Sequence, residues 1–316
     1  MMLTRVVQSD LKRGDHFLIR ARKQKGLIAA SLLFTAYLFV FNYLPVWGWL
    51  MAFQDYSPRL GVLNSPWVGL KHFHALFTDA TFLRVIRNTF AMSIINISLS
   101  FISSISLAIM LNEIRNIFVK RSIQTISYLP HFISWVVAAN IVILSLSVED
   151  GAINRVLMAL GIIDQPVLWL GEPKYFWWII GLSNVWKDVG WNAIIYLATI
   201  SAIDPCLYEA AGIDGAGRIK KITHITFPSL IPTIRLLLIM HCGWIMNTGF
   251  EQQLLLQNPM VLHVADVMDT FTLRFGIAMN RYSFATAAGI FKSVVSIALL
   301  LSANKLSKKI SGEGIM

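Results

Sequence analysis

Four ionisable residues interrupt long apolar stretches of this sequence: Lys187, Asp188, Glu251 and Lys292. A charge within an apolar segment of bilayer length is costly, so such residues are candidates for a functional site. Lys187 and Asp188 are adjacent, so a helix would point them about 100° apart and each would find its own partner. In the structural alternative, Lys187 pairs with an acidic residue of another helix, such as Glu251, and Lys292 has an interior partner.

Aromatic rings and amides accompany these charges. Trp186, Trp191 and Asn192 combine apolar faces that stack on sugar rings with groups that bind hydroxyls. A second group of polar residues, Asn247, Glu251 and Gln252, lies near the outer end of the fifth apolar stretch. These residues either line the same passage or mark the point where the helix meets water. We therefore predict a substrate pathway lined by Trp186, Lys187, Asp188, Trp191, Asn192, Asn247, Glu251 and Gln252.

The apolar stretches that must position these residues are long enough to cross a bilayer. The chain has 316 residues, a mean hydropathy of +0.62 and 14% charged residues, where an ordinary soluble domain holds roughly 25%. This composition excludes a soluble enzyme and a disordered chain. A bilayer core of about 30 Å needs about 20 helical residues. We predict an all-α integral membrane fold with six transmembrane helices, at 26–54, 88–112, 122–148, 176–202, 236–256 and 284–304.

The distribution of Lys and Arg predicts the orientation. With both termini in the cytoplasm, inner segments hold 17 of the 27 Lys and Arg residues and outer segments hold 8, as the positive-inside rule requires. We predict a basic cytoplasmic segment at 1–25, a membrane domain at 26–304 and a cytoplasmic tail at 305–316. The stretch from Leu3 to Ile19 is either plain cytoplasmic chain or an interfacial amphipathic helix.

No residue pattern predicts catalysis or metal binding. His241 has no His or Cys partner at a ligand spacing, and no nucleophile lies beside a base. The sequence lacks the G-x-x-x-x-G-K-[ST] phosphate-binding loop. We expect no enzyme activity, no metal and no cofactor held by this chain. The basic residues follow membrane topology, so we expect no nucleic acid as a partner.

The loop at 203–233 is the most specific part of the sequence. Asp204 is placed to cap a first short helix that Gly212 would end, and Asp214 to cap a second. Small residues dominate between them, so another protein's backbone can approach closely, and Glu209 offers a carboxylate to a partner's Arg. Taken alone, the composition also fits an ordinary interfacial connector.

The pattern E-A-A, three residues, Gly, nine residues, Ile, one residue, an apolar residue and Pro occurs in this loop. It resembles the cytoplasmic EAA loop of permease subunits in binding-protein-dependent ABC importers, although Phe227 stands where that family usually has Leu. The stretches YLPHFISWVV at 128–137 and ATAAGIFKSVV at 285–295 resemble the carbohydrate branch, closest to permeases for oligosaccharides. The resemblance implies coupling to an ATPase through Glu209, Ala210, Ala211, Gly212, Asp214, Gly215, Ala216, Ile225 and Pro228.

The resemblance further implies a type I importer fold in a bacterial cytoplasmic (inner) membrane. Its partners would be a second related permease, two ATP-binding subunits that use ATP, and an extracytoplasmic solute-binding protein. We therefore expect this chain to form half of a sugar pathway. Lys187 and Lys292 make an acidic oligosaccharide conceivable, provided that they are not internally paired. The alternatives are an ion-coupled secondary transporter and, less favoured, a membrane enzyme acting on a polymer.

Overall fold

The structure of the protein is a computed structural model that describes residues 24–311. The predicted basic segment at 1–25, with the stretch from Leu3 to Ile19, lies almost entirely outside the described residues. The last helix continues to Ser311, so it includes the first part of the segment that was predicted as a tail from 305.

The described chain is helical and contains no strand, only an isolated antiparallel bridge between Gln54 and Trp67. The α-helices are α1 Lys25–Leu38, α2 Gly61–Asn64, α3 Lys71–Thr78, α4 Ala80–Glu113, α5 Ile117–Tyr128, α6 Trp135–Ser145, α7 Ala152–Ala159, α8 Pro173–Ser201, α9 Pro205–Ile213, α10 Arg218–Lys221, α11 Phe227–Trp244, α12 Phe250–Leu256, α13 Leu262–Ala265, α14 Met268–Leu273 and α15 Tyr282–Ser311. Short 3₁₀ helices are Leu44–Phe53, Leu129–Phe132 and Trp169–Gly171, and single π-helical turns are Phe39–Tyr43, Ile222–Thr226 and Arg274–Ala278.

Six spans can be traced through these helices. Four continuous helical stretches are long and apolar enough to cross a membrane: Lys25–Phe53, Ala80–Glu113, Arg218–Trp244 and Tyr282–Lys309. Two bent pairs complete the set, Ile117–Phe132 with Trp135–Ser145 and Pro173–Ser201 with Pro205–Ile213. The predicted all-α membrane fold is therefore confirmed in its class, and each predicted span overlaps one of these helices or bent pairs.

Two spans differ from the prediction in shape. The third, predicted as one helix at 122–148, bends by 105° between Phe132 and Trp135, where Ser134 caps α6 by accepting a hydrogen bond from the Val137 amide. The fifth, predicted at 236–256, begins earlier and ends at Trp244. Gly249 adopts a left-handed conformation with φ +49°, so α12 is a separate short helix rather than the end of the span.

The core is organised around α8, which packs along α4. Two glycines of α8 permit close approach of its neighbours. A Cβ on Gly181 would lie 2.7 Å from Leu99 Cδ1 of α4, and one on Gly190 would lie 2.2 Å from the Ser127 carbonyl oxygen of α5. The second contact is with backbone, which cannot move aside as a side-chain tip can, so α8 and α5 touch only because residue 190 is glycine.

We predict that Gly190→Ala lowers the free energy of unfolding of the purified protein by about 1–3 kcal/mol, since overpacking forces α5 and α8 apart. Thermal unfolding in detergent, followed by tryptophan fluorescence, measures this effect. The matched control is Gly289→Ala in α15, where an added Cβ meets no atom within 4 Å. Equal unfolding temperatures for the two variants would contradict the close contact at Gly190.

Candidate functional site

The loop at 203–233 forms a helical hairpin at one end of the bundle. Asp204 caps α9 as predicted, because its Oδ1 accepts a hydrogen bond from the Cys206 amide at 2.9 Å. Pro205 follows at the first helical position, where its missing N–H costs nothing. The loop therefore begins with a firmly positioned helix that carries Glu209, Ala210 and Ala211.

The end of α9 lies beyond the predicted residue. Gly212 is inside the helix, which continues to Ile213, and the left-handed residue is Gly215 with φ +73°. The Ala216 amide donates to the Ala211 carbonyl at 2.8 Å, and the Gly215 amide donates to the Gly212 carbonyl at 3.1 Å. This is the Schellman arrangement, in which the glycine follows the cap residue. The prediction that Gly212 ends the helix was therefore wrong.

Asp214 does not have the predicted role either. It occupies the C-cap position of α9, while α10 begins at Arg218 after Gly217. Because α10 has only four residues and continues through the π-helical turn into α11, the second arm of the loop is the start of the fifth span. The predicted second helix is thus shorter than expected and joined to that span.

The surface of the loop is more apolar than its small residues suggested. Glu209, Ala210, Gly212 and Asp214 are exposed, and Gly215 and Pro228 are exposed too, whereas Ala211, Ala216 and Ile225 are partly buried. The sequence analysis missed Ile213, which is 89% exposed, and Ile219, which is 77% exposed. The loop thus exposes two large apolar side chains as well as its small residues. The signal was present in the sequence, since Ile213 stands between Gly212 and Asp214.

Polar contacts hold the two arms of the loop together and attach them to α4. The Lys221 ammonium donates to the Tyr208 carbonyl at 2.8 Å, and the Tyr208 hydroxyl lies 2.9 Å from Thr226 Oγ1. Arg218 Nε lies 2.7 Å from Glu113 Oε2 at the end of α4. The loop is therefore linked to the helix that runs through the centre of the molecule.

A second candidate site is a cavity of about 280 Å³ between α4, α8 and the segment 241–252, here called the central cavity. Its volume is near the lower end of the roughly 300–1,000 Å³ of small-molecule sites. Amide and hydroxyl groups dominate its lining. The lining residues are Ser93, Asn96, Ile97, Ser100, Asn184, Asp188, Asn192, His241, Trp244, Ile245, Asn247, Thr248, Gly249 and Gln252.

The central cavity brings together four of the predicted pathway residues: Asp188, Asn192, Asn247 and Gln252. Asn192 Nδ2 donates to Ser100 Oγ at 3.2 Å. Gln252 is 1% exposed, and its amide donates to the Ile180 carbonyl at 2.8 Å and to Ser183 at 2.9 Å. Gln252 thus fixes α12 against α8 as well as lining the cavity.

The other four predicted pathway residues do not line the central cavity. Trp186 is 40% exposed and Lys187 is buried. Trp191 stacks on His131, with ring centroids 4.4 Å apart and an interplanar angle of 5°. Glu251 is exposed on α12, because the break at Gly249 separates this helix from the fifth span. The prediction that these four residues line the pathway is therefore not met in the central cavity. They could act only through a residue that lines the cavity or on a surface elsewhere.

The intramembrane charges have partners that differ from the suggested pair of Lys187 with Glu251. Lys187 Nζ donates to the His131 carbonyl at 2.8 Å and lies 3.9 Å from Asp188 Oδ1. Asp188 Oδ1 also lies 2.7 Å from His131 Nδ1. Lys292 forms an ion pair with Asp269 of α14. Because both lysines are paired, neither is a free cation that would by itself select an acidic sugar.

Sequence reasoning weighed charges and so missed the polar residues of α4 that line the central cavity. Ser93, Asn96 and Ser100 recur at spacings of three and four, which places them on one helix face. Asn96 Oδ1 is buried and has no hydrogen-bond partner among residues 24–311. This periodicity within an uncharged span was the signal that could have found them.

At the end of the molecule opposite the EAA loop, ion pairs fix the connecting segments. Lys71 lies 2.7 Å from Asp55 Oδ2, and this contact, with His72 nearby, holds the pKa of the Asp55 carboxyl below its usual value. Asp266, between α13 and α14, pairs with Arg274 and accepts a hydrogen bond from Thr270. Burial nevertheless raises the pKa of Asp266, although Thr270 and Arg274 act in the opposite direction.

The family model for the binding-protein-dependent transport system inner membrane component matches residues 97–312, which include the EAA loop and most of the central cavity. The chain belongs to this family. It is thus a permease subunit of a binding-protein-dependent importer, a multi-pass membrane protein. The family therefore decides against the two alternative functions considered from the sequence, an ion-coupled secondary transporter and a membrane enzyme.

Individual relatives of this permease cover nearly its whole length. It is 41% identical over 304 residues to the polygalacturonan/rhamnogalacturonan transport system permease protein YteP of Bacillus subtilis, covering 96% of this chain and 94% of YteP. It is 39% identical to Protein LplB of the same organism, covering 96% and 95%.

A solved structure shares the fold. The chain superposes on a subunit of a bacterial ABC transporter involved in the import of the acidic polysaccharide alginate with a TM-score of 0.86 and 38% identity, covering 94% of this chain and 99% of that one. A second structure of the bacterial alginate transporter, in complex with a periplasmic protein bound to an alginate pentasaccharide, gives a TM-score of 0.85 and 39% identity, covering 94% and 98%. The expected type I importer fold is confirmed.

We predict that Glu113→Arg or Arg218→Glu alone lowers uptake by the assembled transporter by at most about fivefold, because an exposed ion pair contributes about 0–1 kcal/mol. The double exchange restores the pair with its charges reversed and is expected to recover most of the loss. Uptake in vesicles, normalised to the amount of inserted permease, is the measurement. A double variant no better than the worse single one would show that the pair does not position the loop.

Proposed function

We propose that this permease forms half of a pathway that imports oligosaccharides of acidic polysaccharides, together with a second related permease and two ATP-binding subunits. A binding protein delivers the sugar from outside the cytoplasmic membrane, and both termini lie in the cytoplasm. The charge distribution supports this orientation, since the end that carries the EAA loop is the more basic one.

The central cavity is the observation that carries the sugar assignment. Its lining presents amides and hydroxyls from three helical segments, with Trp244 as an apolar ring. Carbohydrates need this mixture, because each ring offers several hydroxyls and an apolar face. Twelve of the fourteen residues that line the cavity lie within residues 97–312, the part of the chain that the family model matches.

The acidic character of the sugar is supported by the relatives rather than by free cations. YteP is named for polygalacturonan and rhamnogalacturonan, and the structural neighbour imports alginate. Galacturonan and alginate are both built from uronic acids. The sugars named for these two proteins differ, but both polymers carry a carboxylate on a repeating uronic acid unit. We therefore propose an oligouronate as the substrate class.

The EAA loop is proposed as the contact with the ATP-binding subunits. Glu209 and the exposed Ile213 lie on α9, where a cleft of the partner can take up the helix. The carboxylate offers a charge-assisted hydrogen bond to an arginine, and the apolar side chain offers area for burial. Movement of the partner is then passed to α4 through Arg218 and Glu113.

We expect Glu209→Lys to abolish uptake and substrate-stimulated ATP hydrolysis, because the reversed charge repels the partner's arginine, while the permease still inserts into the membrane. Co-purification with the ATP-binding subunits and ATPase assays measure this. Gly217→Ala is the matched control within the same loop, since an added Cβ there meets no atom within 4 Å and φ is −69°. Wild-type uptake by Glu209→Lys would refute the docking role.

The substrate class is tested with the complete transporter and its binding protein in proteoliposomes. Oligogalacturonates or alginate oligomers are compared with neutral malto-oligosaccharides of equal length. We expect the acidic oligomers to give uptake and ATPase stimulation at least about tenfold greater, equivalent to about 1.4 kcal/mol of discrimination. Equal stimulation by both classes, or a preference for the neutral oligomers, would overturn the acidic assignment and leave the sugar assignment in place.

A further inference from the structure

A carboxylate stands on the wall of the cavity through which an acidic sugar is proposed to pass. Asp188 is the only residue among those lining the central cavity that is an Asp, Glu, Lys or Arg, and His241 is the only other titratable one. An unscreened carboxylate would repel a uronate, and the repulsion grows as water is excluded. The charge of this wall therefore depends on what surrounds Asp188.

Lys187 supplies a cation directly behind Asp188. Its side chain is 7% exposed and is not part of the cavity lining, yet Nζ lies 3.9 Å from Asp188 Oδ1. The ammonium is held in place by the hydrogen bond to the His131 carbonyl at 2.8 Å and lies 5.5 Å from the centroid of the Trp135 ring. The cation thus neutralises the wall without binding the substrate directly.

His131 makes the second contact with Asp188. Since a carboxylate only accepts hydrogen bonds, His131 Nδ1 carries the hydrogen in the 2.7 Å contact to Asp188 Oδ1. The imidazole is fixed by parallel stacking on Trp191. Both partners contact Oδ1, so Oδ2 remains able to accept a hydrogen bond from a sugar hydroxyl.

We propose that Lys187 and His131 are positioning residues for Asp188, in which the Lys187 ammonium neutralises the carboxylate and His131 fixes it by a hydrogen bond, so that the central cavity binds sugar hydroxyls without repelling the carboxylates of an oligouronate. This inference rests on the proposed function and adds to it a determinant of specificity. It also gives Lys187, Asp188 and Trp191 connected roles, although only Asp188 lines the cavity.

The experiment uses the complete transporter in proteoliposomes with Lys187→Met, Asp188→Asn and the double variant. We expect Lys187→Met to lower kcat/KM for an oligouronate at least about tenfold, mainly through KM. Removing the carboxylate as well is expected to restore most of this loss in the double variant. Uptake of a neutral oligosaccharide of equal length should change by less than about twofold in Lys187→Met.

Lys292→Met is the matched control, because it breaks another intramembrane ion pair, with Asp269, whose members do not line the central cavity. It is expected to lower the thermal unfolding temperature without changing the ratio of acidic to neutral uptake. A lower unfolding temperature in Lys187→Met is compatible with the proposal only if Asp188→Asn restores acidic uptake in the double variant.

Three results would overturn the proposal. If the Lys187→Met variant transports oligouronates at the wild-type rate, Asp188 needs no neutralisation. A loss in Lys187→Met that the second substitution does not restore would indicate a structural role alone. A wild-type transporter that prefers neutral oligosaccharides would overturn both this inference and the acidic substrate class, whereas the first two results leave that class intact.

Discussion

A membrane interior offers no water to unpaired backbone groups, and this constraint governs where the helices of the permease can break. The break in the third span leaves the His131 carbonyl without a helical partner, and the Lys187 ammonium satisfies it. After the fifth span, Ser93 Oγ donates to the Ile245 carbonyl and lies 2.8 Å from Thr248 Oγ1. Each break is stabilised by a side chain from a neighbouring span. The break after the fifth span places Asn247 and Thr248 in the lining of the central cavity, and the break in the third span places His131 beside Asp188 of that lining.

Lys187 illustrates how one buried charge serves two needs. A lone ammonium in an apolar environment is strongly disfavoured, and removing one partner of a buried pair leaves the other uncompensated. Here the ammonium has a carbonyl, a carboxylate and the face of an indole ring around it. The charge therefore stabilises the bend of the third span and balances Asp188. Lys292 and Asp269 show the simpler case of an ion pair between two helices away from the central cavity.

The class of fold could be predicted because the thickness of the bilayer sets the length of each apolar stretch and its interior excludes most charged residues. The uncharged stretch at 88–112 predicted most of α4, and the EAA pattern predicted the position of the loop at 203–233. The prediction of one helix at 122–148 did not use Pro130 and Ser134, which are a helix-breaking residue and a capping residue at the bend. The lysine that stabilises the bend lies 56 residues away in the sequence, so only the fold shows that contact. Ser93, Asn96 and Ser100 were missed because uncharged polar residues are tolerated in spans. Their spacing of three and four residues places them on one helix face, and packing against α8 and the segment 241–252 makes that face the wall of a cavity.

The long helix α4 explains how a loop at one end can influence a cavity in the middle. Its 34 residues extend about 50 Å at 1.5 Å per residue, and it is unbroken where other spans bend. Glu113 at one end contacts Arg218 of the EAA loop, while Ser93, Asn96 and Ser100 line the central cavity within about one turn of the midpoint of the helix. A continuous helix transmits displacement with little loss, because its hydrogen bonds resist extension. In the proposed function, a movement imposed on the loop would therefore reach the part of α4 that lines the central cavity as long as the ion pair between Glu113 and Arg218 holds.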